Sequence, residues 1–298
     1  MASSSALTAT PRSGPVLRRE TIVHPNGQST AYVYDSFVDP WKPAETILIQ
    51  HGFGRTAEHF YHWIPLLARK YNVIRRELRG HGGSSVPSPA DGKPYAYTTA
   101  TIVDEIRDTL DQLGLVRVHF LGESTSGMLG EIFAATYPER LHSLIICSSP
   151  TYLPPAGVKF LAFGEVSWPY VCRTFGARGW AERLAAAPGT LASNDPAYKD
   201  WWIEKVAEST GEGLAGYAEF LIQLDARPYL DKITTPMLIL APTNSAMLTV
   251  EAMRELEAKI GSAMLSLVPS KGHEIYCEAA EVCQEAVMDF LAGLEREG

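Results

Sequence analysis

Ser124 lies in the segment Val118–Gly127, which closes with Gly-Glu-Ser-Thr-Ser-Gly. This spacing resembles the G-x-S-x-G turn, which joins a strand to a helix and raises a serine hydroxyl clear of the sheet. The turn requires small residues two positions before and after the serine; Gly122 meets this condition, and Ser126 takes the place of the second glycine. The pattern predicts Ser124 as a nucleophile. Ser126 is the weaker candidate, because Met128 would then flank it.

A serine nucleophile needs a base to take its proton, and His273 is the best candidate. It lies in the segment Pro269–Glu274, directly after the last predicted strand, and the intrinsic pKa of histidine suits proton uptake and return. Two other histidines, His51 and His81, lie in glycine-rich loops and are interpreted as structural. The remaining five are also interpreted as structural: His24, His59, His62, His119 and His142.

Acyl transfer also needs two N–H donors aimed at the negative charge that develops on the carbonyl oxygen. The start of the helix after Ser124 offers the Thr125 N–H. The loop His51-Gly52-Phe53-Gly54 follows an apolar run and offers the Phe53 N–H. The sequence therefore predicts an oxyanion hole formed by Phe53 and Thr125.

The periodicity of apolar residues predicts an α/β fold in which strands and helices alternate. Pro25-Asn26-Gly27 is a hairpin-turn signal between the first two strands. Strands are predicted at 17–23, 30–38, 46–50, 72–78, 116–121, 141–147, 236–240 and 263–268. Helices are predicted at 58–70, 99–113, 249–260 and 275–294, with another running from the turn at 122 to 137.

The alternation of strands and helices is interrupted between residues 148 and 230. This segment is rich in proline, glycine and aromatic residues, and its pattern predicts helices rather than strands. We expect a disordered tail at 1–15, a core formed by 16–147 and 231–298, and a helical cap inserted at 148–230. The cap contains Trp168, Trp180, Trp201 and Trp202. These side chains favour an apolar or aromatic small-molecule substrate, or they form the core of the cap itself.

Composition excludes several classes of partner. The 298 residues carry 26 Lys and Arg against 34 Asp and Glu, a net charge of −8, so a nucleic-acid partner is not expected. No apolar run is long enough for a membrane span or a signal peptide, so a cytoplasmic location without membrane attachment is expected. The four cysteines show no metal-binding spacing and are predicted to be reduced, mostly buried thiols, with no metal bound.

Taken together, these motifs resemble the α/β-hydrolase superfamily from about Thr46 to the C-terminus. The His51–Gly54 loop, the Arg79–Ser84 loop, the Gly122–Gly127 turn and Gly272-His273 follow one another in the order typical of that family. The chain is most similar to the esterase, lactonase and carbon–carbon-bond hydrolase branch, of which 3-oxoadipate enol-lactonases are typical. The resemblance implies a mostly parallel eight-stranded sheet with an inserted cap, a Ser–His–Asp triad, an acyl-enzyme intermediate and no cofactor.

One part of the family pattern is missing. The triad acid usually follows the strand predicted at 236–240, where this chain has Ala241–Ala246 and no carboxylate; the alternative position holds Ser148-Ser149. Asn244 could orient His273 through its amide oxygen, as Asn does in Cys–His–Asn proteases. A distant carboxylate could instead reach the histidine, or the serine and histidine could act alone. The candidate carboxylates are Glu123, Glu165, Asp195 and Asp225.

The leading functional hypothesis is hydrolysis of an ester or lactone by Ser124 and His273. The alternatives are a carbon–carbon-bond hydrolase or lyase that uses the same pair, and a ligand-binding homologue that has lost turnover. An epoxide hydrolase or haloalkane dehalogenase is disfavoured, because those enzymes use an Asp where this chain has Ser124.

Overall fold

The computed structural model describes residues 19–86, 97–245 and 247–297. Within these ranges, eight strands form one sheet in the order β1-β2-β4-β3-β5-β6-β7-β8. β1 and β2 pair antiparallel, as do β2 and β4, whereas all neighbours from β4 to β8 run parallel. The predicted fold class is confirmed. The tail predicted at 1–15 lies outside the described residues.

The strand bounds agree closely with the predicted ones, and three strands coincide with them. The strands are β1 Glu20–Val23, β2 Ser29–Asp35, β3 Thr46–Gln50, β4 Asn72–Arg76, β5 Val118–Glu123, β6 Leu141–Cys147, β7 Met237–Pro242 and β8 Ala263–Val268. Along β3, Ile47 and Ile49 pack into the apolar layer on one face of the sheet, and Leu48 packs into the layer on the other. This alternation is the period of two that a strand imposes on its side chains.

Helices cover both faces of the sheet. They are α1 Ile64–Leu67, α2 Thr99–Gln112, α3 Thr125–Thr136, α4 Pro155–Leu161, α5 Trp168–Ala186, α6 Pro196–Val206, α7 Gly211–Gln223, α8 Val250–Lys259, α9 Ile275–Glu278 and α10 Ala280–Glu297. Within the described ranges, no helix is both long and apolar enough to cross a membrane.

The predicted helix at 58–70 is different in the structure. A 3-10 helix covers Ala57–Trp63, and only the single turn α1 follows it. The backbone at Phe60 is not helical, with φ −103° and ψ 16°, and Pro65 cannot donate a backbone hydrogen bond. The apolar residues have the spacing of a helix, but in the structure they lie on two short helical segments, the first of which is kinked at Phe60.

The helices α4 to α7 lie between β6 and β7, in a segment that the structure describes throughout. Helices α5 and α7 pack against each other, and α5 also packs against α6. Trp168, Trp180 and Trp202 are buried in this packing. Trp168 and Trp180 also line the cavity beside Ser124, so these side chains belong to the core of the segment and to the wall of the site.

Candidate active site

Ser124 lies at the sharp turn between β5 and α3. Its backbone has φ 52° and ψ −124°, a conformation that residues other than glycine rarely adopt. A Cβ on Gly122 would lie 2.5 Å from the Ser126 carbonyl oxygen, so the chain passes too close for any side chain there. Ser126 is buried and donates a hydrogen bond to the His51 carbonyl oxygen at 2.5 Å. The turn therefore presents Ser124 and keeps Ser126 inside.

His273 comes from the loop after β8 and reaches the same point. Its Nε2 lies 3.0 Å from Ser124 Oγ. The His273 backbone is held from two sides: Ser148 Oγ donates to its carbonyl oxygen at 2.7 Å, and its N–H donates to Gly189 O at 3.4 Å. The structure thus brings together the two side chains that the sequence selected as nucleophile and base.

The other ring nitrogen of His273, Nδ1, is buried and has no hydrogen-bond partner in the described part of the chain. Asn244 and Glu165 are exposed, Asp195 caps α6 by accepting from Ala197 N at 2.9 Å, and Asp225 pairs with Arg227 at 2.7 Å. The fifth candidate, Glu123, accepts from Gly52 N at 2.7 Å. None of the groups considered for the acid role lies on Nδ1.

The electrostatic environment of His273 favours the neutral form of its ring. Burial, together with a smaller contribution from the nearby Arg55 cation, lowers the pKa of His273 to about 3. A neutral imidazole at pH 7 is able to accept a proton. In the part of the chain that the structure describes, no carboxylate lies at Nδ1 to stabilise the imidazolium that follows.

The loop with Phe53 lies beside Ser124, held by hydrogen bonds from three successive N–H groups. Gly52 N donates to Glu123 Oε2 at 2.7 Å, Phe53 N to Thr125 Oγ1 at 3.2 Å, and Gly54 N to His81 Nε2 at 3.0 Å. The Phe53 N–H therefore points toward the start of α3, next to Ser124. The position in front of the Phe53 N–H is thus occupied by an acceptor oxygen, Thr125 Oγ1, at the long distance of 3.2 Å.

His51 and His81 support these loops. Each ring has Nδ1 next to a backbone carbonyl oxygen, Gly52 O at 2.8 Å and Arg79 O at 2.9 Å. Each Nε2 accepts a backbone N–H, from Leu78 at 3.2 Å and from Gly54 at 3.0 Å. These bonds fit neutral rings with the proton on Nδ1, in agreement with the structural role predicted for both.

A cavity of about 70 Å³ opens beside the Ser124–His273 pair. Its wall is largely apolar, and its aromatic part includes Phe53, Phe160, Trp168 and Trp180. The Phe53 ring lies edge-on to Trp168 and Trp180, with ring centroids 4.4 and 5.0 Å away. The space beside Ser124 is therefore small and largely apolar.

Two residues of this region were missed by the sequence reasoning. Arg55 lines the cavity, and Glu274 directly follows His273; both side chains are buried and form an ion pair at 2.9 Å. The signal available in the sequence was that a charged residue directly follows each motif: Arg55 follows His51–Gly54, and Glu274 follows Gly272-His273. Their pairing across the chain could not be read from spacing.

The sheet order, the turn at Ser124 and the late histidine together define an α/β hydrolase. The profile of the alpha/beta hydrolase fold family matches residues 45–280, and the chain belongs to that family.

Its relatives carry several hydrolase names. RutD of Stutzerimonas stutzeri, named for carbamate hydrolysis, is 25% identical over 266 residues, covering 84% of this chain and 92% of its own. The 3-oxoadipate enol-lactonase 2 of Acinetobacter baylyi is 25% identical over 226 residues, covering 75% and 79%. The crystal structure of the enol-lactonase from Burkholderia xenovorans LB400 matches with a TM-score of 0.78 at 23% identity, covering 90% and 98%. The chain is thus a hydrolase by family.

Proposed function

We propose that this hydrolase cleaves a carboxylic ester or lactone through an acyl-enzyme intermediate on Ser124. The observation that carries the proposal is the 3.0 Å separation of Ser124 Oγ and His273 Nε2 at the wall of an apolar cavity. In the proposed reaction, His273 Nε2 takes the hydroxyl proton as Ser124 Oγ attacks the carbonyl carbon. His273 then gives the proton to the leaving alcohol, and a water molecule releases the acid by the same steps.

The Phe53 and Thr125 N–H groups are the proposed oxyanion donors. In the free protein the Thr125 hydroxyl accepts from Phe53 N–H at 3.2 Å, at the long end of hydrogen-bond distances. A substrate oxygen with developing negative charge is a stronger acceptor than a neutral hydroxyl. Exchange of the hydroxyl for the substrate oxygen therefore favours the transition state over the ground state.

The substrate that we propose has a small apolar group next to its carbonyl. The cavity volume of about 70 Å³ and its aromatic wall support this choice. The lactone alternative is motivated by the enol-lactonase names among the relatives. The helices between residues 148 and 230 are the proposed cap, because Phe160, Trp168 and Trp180 reach the cavity from them.

A fluorophosphonate probe tests the nucleophile without knowledge of the natural substrate. We expect intact-mass spectrometry to find one adduct on the wild-type protein and none on Ser124→Ala. Ser126→Ala is the matched control, since it removes a hydroxyl two residues away and should keep the adduct. Absence of the adduct on wild type, under conditions that label a control esterase, would contradict the proposal.

A second candidate, a ligand-binding homologue without turnover, is favoured by the unpartnered Nδ1 of His273. Hydrolysis of 4-nitrophenyl acetate distinguishes the two. Repeated turnovers that Ser124→Ala abolishes support the hydrolase. A single stoichiometric burst, with no steady phase after it, supports the binding protein.

A further inference from the structure

Arg55 forms the centre of a buried polar cluster below the catalytic cavity. Its side chain is 6% exposed, and its guanidinium donates in three directions. Nη1 donates to Phe53 O at 2.7 Å, Nη2 to Glu274 Oε1 at 2.9 Å, and Nε to Tyr276 OH at 3.2 Å. One rigid, planar group therefore bonds both the loop of the proposed oxyanion donor and the residue that follows His273.

Glu274 extends this connection to the helices proposed as the cap. Besides Arg55, its Oε1 accepts from Trp202 Nε1 at 3.0 Å, and its Oε2 accepts from Ala192 N at 2.8 Å and Tyr198 OH at 3.0 Å. A fully buried carboxylate is tolerated because it receives this many donors. The bonds place the backbone next to His273 in one position.

Glu123 closes the cluster on the side of the nucleophile. It directly precedes Ser124, accepts from Gly52 N at 2.7 Å, and has Oε2 3.7 Å from Arg55 Nε. Each residue proposed to take part in the reaction is therefore connected to the cluster. Glu123 directly precedes Ser124, Glu274 directly follows His273, and Phe53 belongs to the cluster through its carbonyl oxygen. Arg55 is the member that contacts all three.

We propose that Arg55 is a positioning residue, which holds the oxyanion loop and the His273 loop in register where no carboxylate of the described residues orients the histidine ring. The inference rests on the proposed serine-hydrolase function. Triad enzymes orient the imidazole through an acid on Nδ1. Here orientation comes from the backbone on either side of the ring, through Glu274, Gly189 and Ser148. Arg55 acts through these groups and is not itself placed on the reacting atoms.

The test measures the rate at which a fluorophosphonate labels Ser124, together with the hydrolysis of 4-nitrophenyl acetate. Arg55→Lys keeps the positive charge but cannot reach Phe53 O, Glu274 and Tyr276 OH with one planar fork. We expect labelling and kcat to fall about 10- to 100-fold, as for small displacements of reacting groups, while KM changes little. Arg178→Lys is the control, because Arg178 forms an exposed pair with Glu204 at 2.8 Å.

A rescue measurement separates positioning from general stability. Added guanidinium, well below denaturing concentration, should restore part of the labelling rate in Arg55→Ala but not in Ser124→Ala. A folded Arg55→Ala that guanidinium does not accelerate would overturn the proposal. Should Arg55→Ala fail to fold, Arg55→Lys decides: slow labelling at an unchanged unfolding temperature supports the proposal, and labelling at the wild-type rate overturns it. A wild-type protein that never labels contradicts the hydrolase function, so the two failures are distinguishable.

Discussion

Gly54, in the proposed oxyanion loop, is a position where a single methyl group should affect both stability and labelling. Its φ is +70°, and a Cβ there would overlap the Trp180 ring, lying 2.8 Å from Cη2 and closer to Cζ3. Trp180 is 1% exposed and lines the cavity beside Ser124, so a ring displaced by the new methyl group would also change the shape of that cavity. Gly54→Ala therefore combines backbone strain with overpacking.

The expected cost is the sum of two contributions. A residue with a Cβ at positive φ costs about 1–2 kcal/mol, and overpacking of a buried site costs about 1–3 kcal/mol. We expect the free energy of unfolding to fall by about 2–5 kcal/mol. Because the Phe53 N–H is one residue away, we also expect slower fluorophosphonate labelling, by up to about 10²-fold, the lower end for loss of an oxyanion donor.

Gly114→Ala is the matched control in urea unfolding. Gly114 has a similar φ, +67°, but nothing lies within 4 Å of its Cβ position. It follows α2 and should cost only the strain, about 1–2 kcal/mol, without change in labelling. The difference between the two variants isolates the contact with Trp180. Equal losses of stability would refute the overlap argument, whatever their size.

Three further predictions concern buried titratable groups. Glu131 is fully buried with both carboxylate oxygens unpartnered in the described residues, and burial raises its pKa well above the usual value. The unfolded chain therefore releases the Glu131 proton at a lower pH than the folded state does, so Glu131→Gln should stabilise the protein. The gain should grow as pH rises above about 5, by up to about 1.4 kcal/mol per pH unit; a pH-independent gain would contradict this. Burial lowers the pKa of His81 to about 4 and that of His51 well below its usual value. Because the unfolded chain takes up these protons below pH 6.5, the free energy of unfolding measured in urea should decrease as pH falls from 6.5 to 5, by up to about 1.4 kcal/mol per pH unit for each histidine. A flat profile would refute the neutral tautomers. In thiol titration of the native protein, only the partly exposed Cys277 should react, and all four cysteines should react in urea; rapid reaction of Cys147, Cys172 or Cys283 would contradict their burial.

Patterns with a short period were predictable from the sequence. The runs at β3, β6 and β8 are apolar strands between clear turn signals, and their bounds coincide with the predicted ones. The Gly122–Gly127 turn was readable because a steric requirement leaves small residues at set positions. Ser124 and His273 were selected by residue type and chain order, and the fold places them in contact.

Features formed by distant residues were not predictable. Arg55 and Glu274 pair across 219 positions, and nothing local in either segment encodes the contact. The kink at Phe60 was missed for a different reason. Its apolar spacing is that of a helix, and the fold satisfies that spacing with a 3-10 turn and a single helical turn.

Nδ1 of His273 has no partner among the residues that the structure describes, and this limits what the site can do. In a triad the acid orients the ring, keeps the proton on Nδ1, and stabilises the imidazolium. The bonds around Glu274 and Ser148 supply orientation only. For Nε2 to act as the base, Nδ1 must carry its proton without an acceptor, and a buried donor of this kind costs about 1–3 kcal/mol. The nearby Arg55 cation opposes the imidazolium as well. We therefore expect a slow hydrolase, nearer to the residual activity of a triad without its acid than to a complete one, and best suited to esters whose leaving group departs readily.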